Sequence, residues 1–260
     1  MRTRYCAWID GQGLHDIDPS IFILDIVELD PDEEIIKAER SFGNGTRFDR
    51  VNRHSLSLRI SFAVRERDIT RRARIIDEVR RWAHEGYLTT NDRPGKRLYV
   101  SHCRLPVASA LKWADTLEIV ATAYDVPWWE EITATKCEIT PSLLSTGQYA
   151  GSAQLYNPGT MTAPIECTII PTKKMDMVRV GSGGQRFIRF EGLEAKAGDT
   201  ITITHDERGL VQLSLNGESI MDKRTGDSRD DVPVDPGWST ITVRGTAPFS
   251  ATCTVRGRWL

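Results

Sequence analysis

The sequence predicts a mainly β protein in two parts: a β-sheet half carrying one amphipathic helix and a protruding arm, then a β-sandwich. Three observations carry this. Leu56, Leu58, Ile60, Phe62 and Val64 alternate with Ser57, Arg59, Ser61 and Arg65, the period of a strand with one buried face. Directly afterwards Ile75, Ile76, Val79, Trp82 and Ala83 fall on one helical stripe. Beyond residue 130 no helical period returns, and short β-rich runs recur with turn signals between them.

The elements follow in order. Tyr5 to Ile9 reads as a short strand ending in the Asp10-Gly11 turn, and Ile21 to Leu29 as a second strand stopped at Asp30-Pro31. Residues 30–54 differ in kind: highly charged, with a weak apolar pair at Ile35-Ile36 and a Phe42-Gly43-Asn44-Gly45-Thr46 centre. Asn-Gly flanked by glycine signals a tight turn. The segment therefore reads as a hairpin arm, with a plain charged loop as the alternative. The helix spans 70–85. Asp68 or Thr70 is placed to cap its start, Gly86 to end it in a left-handed turn, and Asp77 and Arg81 to pair across one turn. A turn at Arg93-Pro94-Gly95-Lys96 leads to a strand from Arg97 to Leu105, and 112–124 forms another with both faces partly covered.

The tryptophans of Pro127-Trp128-Trp129-Glu130 suggest a packed crossing point that closes the first half. We therefore expect domains at 1–130 and 131–260, within the one or two that 260 residues admit at roughly 100–200 each. In the second half, strands are expected at 165–170, 175–180, 185–190, 200–205, 210–215, 240–243 and 251–259. Asn216-Gly217 marks a two-residue hairpin, and Gly181-Ser182-Gly183-Gly184 a second strand connection. In the last strand Ala251, Cys253, Val255 and Trp259 are expected to face in, and Arg256 and Arg258 out.

Composition narrows the function. A formal net charge of −2 gives no global basic field for nucleic-acid binding. The arginines around the helix (Arg65, Arg67, Arg71, Arg72, Arg80, Arg81) are interleaved with acids and read as a solvated face or a subunit contact. Five dispersed cysteines without a Cys-x-x-Cys read as small hydrophobes in a reducing compartment. The N-terminus reaches charge too early for a signal peptide, and no apolar run approaches the ~18 residues of a membrane span, so membrane insertion is not expected.

No catalytic, cofactor or metal set is legible. His15-Asp16-Ile17-Asp18 lacks the further ligands a metal needs. His102 and Cys103 are adjacent on a strand and point to opposite faces. Gly181–Gln185 lacks the lysine and helix of a phosphate loop. Carboxylates such as Asp199 and Asp206 form no readable acid pair. His205-Asp206-Glu207-Arg208 with Trp238 invites a sugar site, but the His-x-Asn-x-Arg pattern of galectins is missing and turn residues explain the run better.

Several short motifs in order resemble the distal tail (Dit) proteins of siphophages. They are the run from Arg65 to Leu105; Asn157-Pro158-Gly159 followed by Ala163-Pro164-Ile165; Ile188 to Leu193; Gly198-Asp199-Thr200-Ile201; the Asn216-Gly217 hairpin; and the closing strand from Ser250 to Trp259. The resemblance spans nearly the whole chain and departs in the arm. It implies an N-terminal belt domain and a C-terminal galectin-like β-sandwich. It also implies a non-enzymatic structural protein of the virion tail tip, assembled in the host bacterial cytoplasm as a hexameric ring. Its expected partners are the tail tube protein, the tape-measure protein and a tail-associated lysin or tail fibre, with DNA passing through the channel unread. A ring needs a heterologous interface. Its candidate residues are Phe42, Asn44 and Arg47 in the arm and Arg74, Asp77 and Arg81 on the helix. The competing expectation is a carbohydrate-binding module that attaches to host-surface glycans, with His205 and Trp238 as contacts.

Overall fold

The computed structural model describes residues 5–30, 32–39, 46–105, 116–183, 186–229 and 231–259, with backbone alone at 36–39 and 46–52. The chain divides into two compact units, Met1–Trp129 and Glu130–Leu260.

In the first unit the strands are β1 (Ala7–Ile9), β2 (Gln12–Gly13), β3 (Ile21–Glu28), β4 (Asp32–Glu39), β5 (Thr46–Val64), β6 (Gly86–Thr90), β7 (Lys96–Val100), β8 (His102–Arg104) and β9 (Thr116–Ala123). The helix α1 (Ile69–Trp82) follows β5. The first sheet runs β2-β1-β6-β7 within this unit and the second β3-β5-β9-β8, with β4 paired to β5. The alternation read from Leu56 to Val64 is the buried face of β5, with each of those five residues no more than 4% exposed. Its register sets Leu56 against Ala123, Leu58 against Ala121 and Ile60 against Ile119. The first two of these pairs set a large side chain against a small one, which lets the pleated surface fill without voids. The polar face is also tied, by a 2.9 Å hydrogen bond between the Ser57 and Thr122 hydroxyls.

The expected strand from Arg97 to Leu105 is two strands in different sheets. β7 pairs with β6 and β8 with β9. The switch falls at Ser101, whose N–H donates to Thr122 O (2.9 Å) and whose hydroxyl donates to Asp125 (2.9 Å).

The helix starts at Asp68, whose Oδ1 accepts from Arg71 N at 2.7 Å, so the aspartate and not Thr70 is the cap. It ends at Trp82, and Gly86 opens β6 instead of closing the helix. A Cβ there would lie 2.3 Å from Asp10 Oδ2, so the aspartate would have to shift to admit one. Asp77 pairs with Arg80 at 2.8 Å instead of with Arg81. Arg72, read as part of a solvated face, is buried, and its Nη1 donates to Glu66 O at 2.6 Å. A buried guanidinium is tolerated where a backbone carbonyl accepts from it. Trp82 completes the inner stripe and donates from Nε1 to Gln12 O at 2.7 Å.

A short strand, β10 (Trp129–Glu131), lies where the units meet along the chain. The second unit then has β11 (Thr135–Ile139), β12 (Ser142–Leu143), β13 (Tyr149–Asn157), β14 (Ala163–Pro171), β15 (Met175–Ser182), β16 (Arg186–Ala195), β17 (Ile201–His205), β18 (Val211–Leu215), β19 (Glu218–Ser219), β20 (Pro233–Val234), β21 (Gly237–Gly245), β22 (Phe249–Val255) and β23 (Arg258–Trp259). One sheet runs β11-β22-β14-β17-β18-β19 with β20 on β14, and the other β12-β13-β21-β15-β16. One continuous apolar cluster takes Ile165, Cys167, Ile169 and Cys253 from the first and Val178, Val180, Phe190 and Val243 from the second. This is a β-sandwich. Asn216 and Gly217 both take positive φ (53° and 86°), as a two-residue hairpin turn of the Asn-Gly type requires.

Two strands, β11 and β13, carry no clear signal in the sequence. β13 (Tyr-Ala-Gly-Ser-Ala-Gln-Leu-Tyr-Asn) is rich in small residues because it is crowded: a Cβ on Gly151 would lie 2.5 Å from Ile139 Cγ2 and 2.8 Å from Thr140 O. The final run also breaks. Gly257 separates β22 from β23, so Arg258 is turned inward and holds Glu130 at 3.0 Å, with side chains 16% and 15% exposed. Arg256 donates to Ile132 O.

The Asn157-Pro158-Gly159 motif has a physical basis. Asn157 is buried, donates from Nδ2 to Met161 O (3.0 Å) and Val234 O (2.9 Å), and accepts from Gly159 N (2.9 Å). Gly159 must be glycine because a Cβ would collide with the Arg258 backbone. Asn157→Ala leaves three backbone groups without these partners. It is expected to lower stability by about 2–4 kcal/mol, measured by urea unfolding of the full chain.

Candidate assembly interface

The arm is the continuation of a core strand. β5 has 19 residues, roughly 60 Å of extended chain. Its second half, from Leu56, is the centre of a sheet, flanked by β3 and β9. Its first half pairs only with β4 among the described residues, from Asp32↔Ser55 out to Glu39↔Thr46. Register shifts at Asp32/Glu33 and Ile36/Lys37 bulge this ladder, which adds twist and blunts an edge that would otherwise invite pairing. Asp32, Glu33, Glu34 and Ile35 are all exposed, so neither face of β4 is covered there, and Ile35 leaves 56% of its surface in solvent.

The base of the arm is pinned. Arg53 holds Glu33 Oε1 from Nη2 (2.8 Å) and Nε (3.1 Å), and its guanidinium lies 5.6 Å from the centre of the Trp128 ring. His54 approaches Glu34 at 3.6 Å. Beside this, Glu28 accepts from Arg93 (2.6 Å) and from Trp129 Nε1 (3.3 Å), with the Trp129 side chain fully buried. The two tryptophans read from the sequence as a crossing point are thus both engaged by side chains of the first unit. Arg53 and Glu33 escape sequence reasoning because a charge in a charged run carries no signal of its own; their partnership across the hairpin is what singles them out.

Of the sequence candidates, Phe42 and Asn44 lie outside the described residues. Arg47 has its backbone in β5 opposite Ala38. Arg74, Asp77 and Arg81 are all exposed on the outer face of α1, near the helix's own surface pair of Asp77 with Arg80. Arg71, one turn earlier, is drawn back to Asp18 (3.1 Å) and Glu66 (3.2 Å) and so fastens the start of the helix.

The glycan candidates are not brought together. His205 ends β17 in one sheet of the sandwich, while Trp238 lies on β21 in the other. Burial, and then the Arg258 guanidinium, push the His205 pKa down to about 4. Neither ring nitrogen has a hydrogen-bond partner among the described residues. Trp238 is 72% exposed and tilts against Tyr156 with ring centres 5.1 Å apart. Among the described residues no three His, Cys, Asp or Glu side chains converge on a metal position. Burial pushes the Cys103 thiol up to about 11, so little nucleophilic thiolate forms there near neutral pH.

No protein-family model and no curated protein matches the chain. Solved structures do. A crystal structure described as SPP1 Dit (gp 19.1) protein, "a Paradigm of Hub Adsorption Apparatus in Gram-positive Infecting Phages", superposes with a TM-score of 0.70 at 14% identity, covering 99% of this chain and 100% of that one. This chain has a Dit-like fold. The phage P2 baseplate in its activated conformation with Ca matches at TM-score 0.51 and 7% identity, covering 99% of this chain and 98% of that one. The same baseplate with Sr matches at 0.53 and 7%, covering 97% of each.

His205 gives a direct test of this geometry. Its folded pKa lies below the unfolded value, so between about pH 6.5 and pH 4 the unfolded chain binds the extra proton and stability falls as pH falls. Above that window the group contributes no pH dependence. Wild type is expected to lose on the order of 2 kcal/mol more than His205→Gln across it, read as the difference between their urea-unfolding curves at each pH.

Proposed function

We propose that this protein is the distal tail hub of a siphophage or prophage: a structural ring joining the tail tube to the tip and receptor-binding apparatus, with a channel for DNA. The observation that carries this reading is a Dit-like fold over 99% of the chain. Those neighbours support a baseplate structural role, and the ring, channel and partners are the finer part of the proposal. The partners are further copies of the chain, most simply six, with the tail tube and tape-measure proteins on one side and a tail-associated lysin or fibre on the other. The virion tail tip is its place, after assembly in the bacterial cytoplasm. No enzymatic role is assigned to it.

The arm supports the ring. A two-stranded ribbon is marginally stable alone in water, and at residues 32–35 β4 leaves both faces and one edge uncovered among the described residues. A neighbouring copy would supply the missing cover. Its contacts would include the arm residues Phe42, Asn44 and Arg47 and the helix face of Arg74, Asp77 and Arg81, whose mixed charges favour register and partner choice over raw affinity. A closed ring follows when such a heterologous contact repeats by rotation.

Native mass spectrometry of the purified protein at micromolar concentration is expected to show a closed oligomer, and negative-stain images a central hole. Deleting residues 33–53 and joining the ends with a short turn is expected to return a folded monomer. Rings of unchanged size from that variant would remove the arm from the interface.

A further inference from the structure

The outward face of the sheet β12-β13-β21-β15-β16 carries an arrangement that the hub reading does not use. Arg244, Arg179 and Arg189 stand in one row across three neighbouring strands, since Arg179 is the register partner of both others. The burial alternation puts all three on the outer side: Val178, Val180, Ile188, Phe190 and Val243 face the core. Like charges placed directly opposite destabilise a sheet, so such a row is a local cost to folding. Glu191 and Asp227 offset it at one end, with Glu191 ion-paired to Arg189 and Asp227 acting on Arg179 and Arg189 through its charge. Beside the Arg179–Arg244 pair lies a niche of about 70 Å³ lined by Arg179, Gly181, Thr242 and Arg244.

Gly181 is two residues beyond Arg179 on the same outer face and lines the niche, and a Cβ there would stand 3.1 Å from Arg186 O and 3.2 Å from Phe187 Cβ. The Arg179 guanidinium lies over the Phe187 ring, 3.7 Å from its centre. Thr242 brings a hydroxyl, which shares a 2.9 Å hydrogen bond with Ser152. Two arginines and a threonine lining one small concavity suit one oxyanion.

The rest of the face says what carries that anion. Along β13 and β21 from the niche come Ser152 and Thr242, then Gln154 and Thr240 joined at 3.0 Å, then the exposed Tyr156–Trp238 pair. From Arg244 to Trp238 is roughly 20 Å along the strand. These outward positions are hydroxyls and amides ending in aromatic rings, without an aliphatic centre of the kind a protein interface buries. We propose that this face binds an acidic saccharide chain, its phosphate or sulfate group seated between Arg179 and Arg244 and its sugar rings running toward Trp238. This site is separate from the hub reading, because it is tested by binding to the protein whether or not a ring forms.

The test measures affinities of the full-length protein for three probes at matched salt: a heparin-derived sulfated oligosaccharide, a phosphorylated mannan oligosaccharide and polyglutamate of similar charge. At least one saccharide is expected to bind, the tighter of the two identifying sulfate or phosphate. Arg244→Gln is expected to weaken it by about tenfold without lowering the Tm, since the change relieves a like-charge pair. Arg179→Gln is the second variant for the same loss, and Trp238→Ala should weaken the saccharide while leaving inorganic phosphate competition intact. Unchanged affinity in both arginine variants, or no saccharide binding, would overturn the proposal. Polyglutamate binding as tightly as either saccharide would overturn it too, in favour of an acidic protein partner.

Discussion

The backbone ladder of β5 is the constraint on which the first unit depends. A strand buried between two neighbours must have every N–H and C=O paired, and from Leu58 to Ala63 β3 and β9 do this on either side. The same strand then continues outward as the arm, where β4 alone pairs with it among the described residues. Because the two halves share one continuous strand, the arm cannot pivot independently of the core sheet as it would on a loop. Its direction is set by the packing of Leu56, Leu58 and Ile60. The first bulge of the β4 ladder, at Asp32/Glu33, and the grip of Arg53 on Glu33 lie near the point where the strand leaves the core. A hub would need that property, since a contact aimed at a neighbour closes a ring only when its angle is reproducible.

The second unit rests on close approach. Gly151 and Gly159 each stand where another backbone passes too near for a Cβ, and Asn157 ties three backbone groups that would otherwise be buried without partners. Hydrophobicity does not report what these residues hold in place. A fold held by backbone proximity and by an apolar pattern that many side chains satisfy tolerates wide change in sequence, in keeping with a likeness at 14% identity that extends over 99% of the chain. The outer face of the same sandwich behaves differently. Its arginine row opposes folding locally, which is the behaviour expected where a surface is kept for a ligand and not for stability.

Much of the fold was legible in the sequence. The alternation at Leu56–Val64, the stripe from Ile75 to Trp82, the Asn216-Gly217 turn and the recurrent short strands each report a local periodicity, and a local period is a property of the chain itself. The candidate interface was legible only as a charged, Gly-Asn-Gly-centred segment. Which charges meet was not. Asp77 chose Arg80 over Arg81, Arg72 went inside, and Arg53 found Glu33 across the hairpin, because pairing on a surface depends on rotamers and neighbours and not on spacing alone.

By itself, then, the sequence determined the fold class, the amphipathic helix with an aspartate able to cap it, and the turn chemistry, since steric and hydrophobic preferences act over a few residues. Only the tertiary structure decided that Ser101 divides one run between two sheets, that Gly86 makes room for Asp10, and that His205 and Trp238 belong to opposite sheets. It also decided that Arg179, Arg189 and Arg244, scattered along the chain, stand side by side. Each of these depends on which strand lies next to which, and strand adjacency is set by closure of the whole core, a long-range condition that no window of the sequence contains.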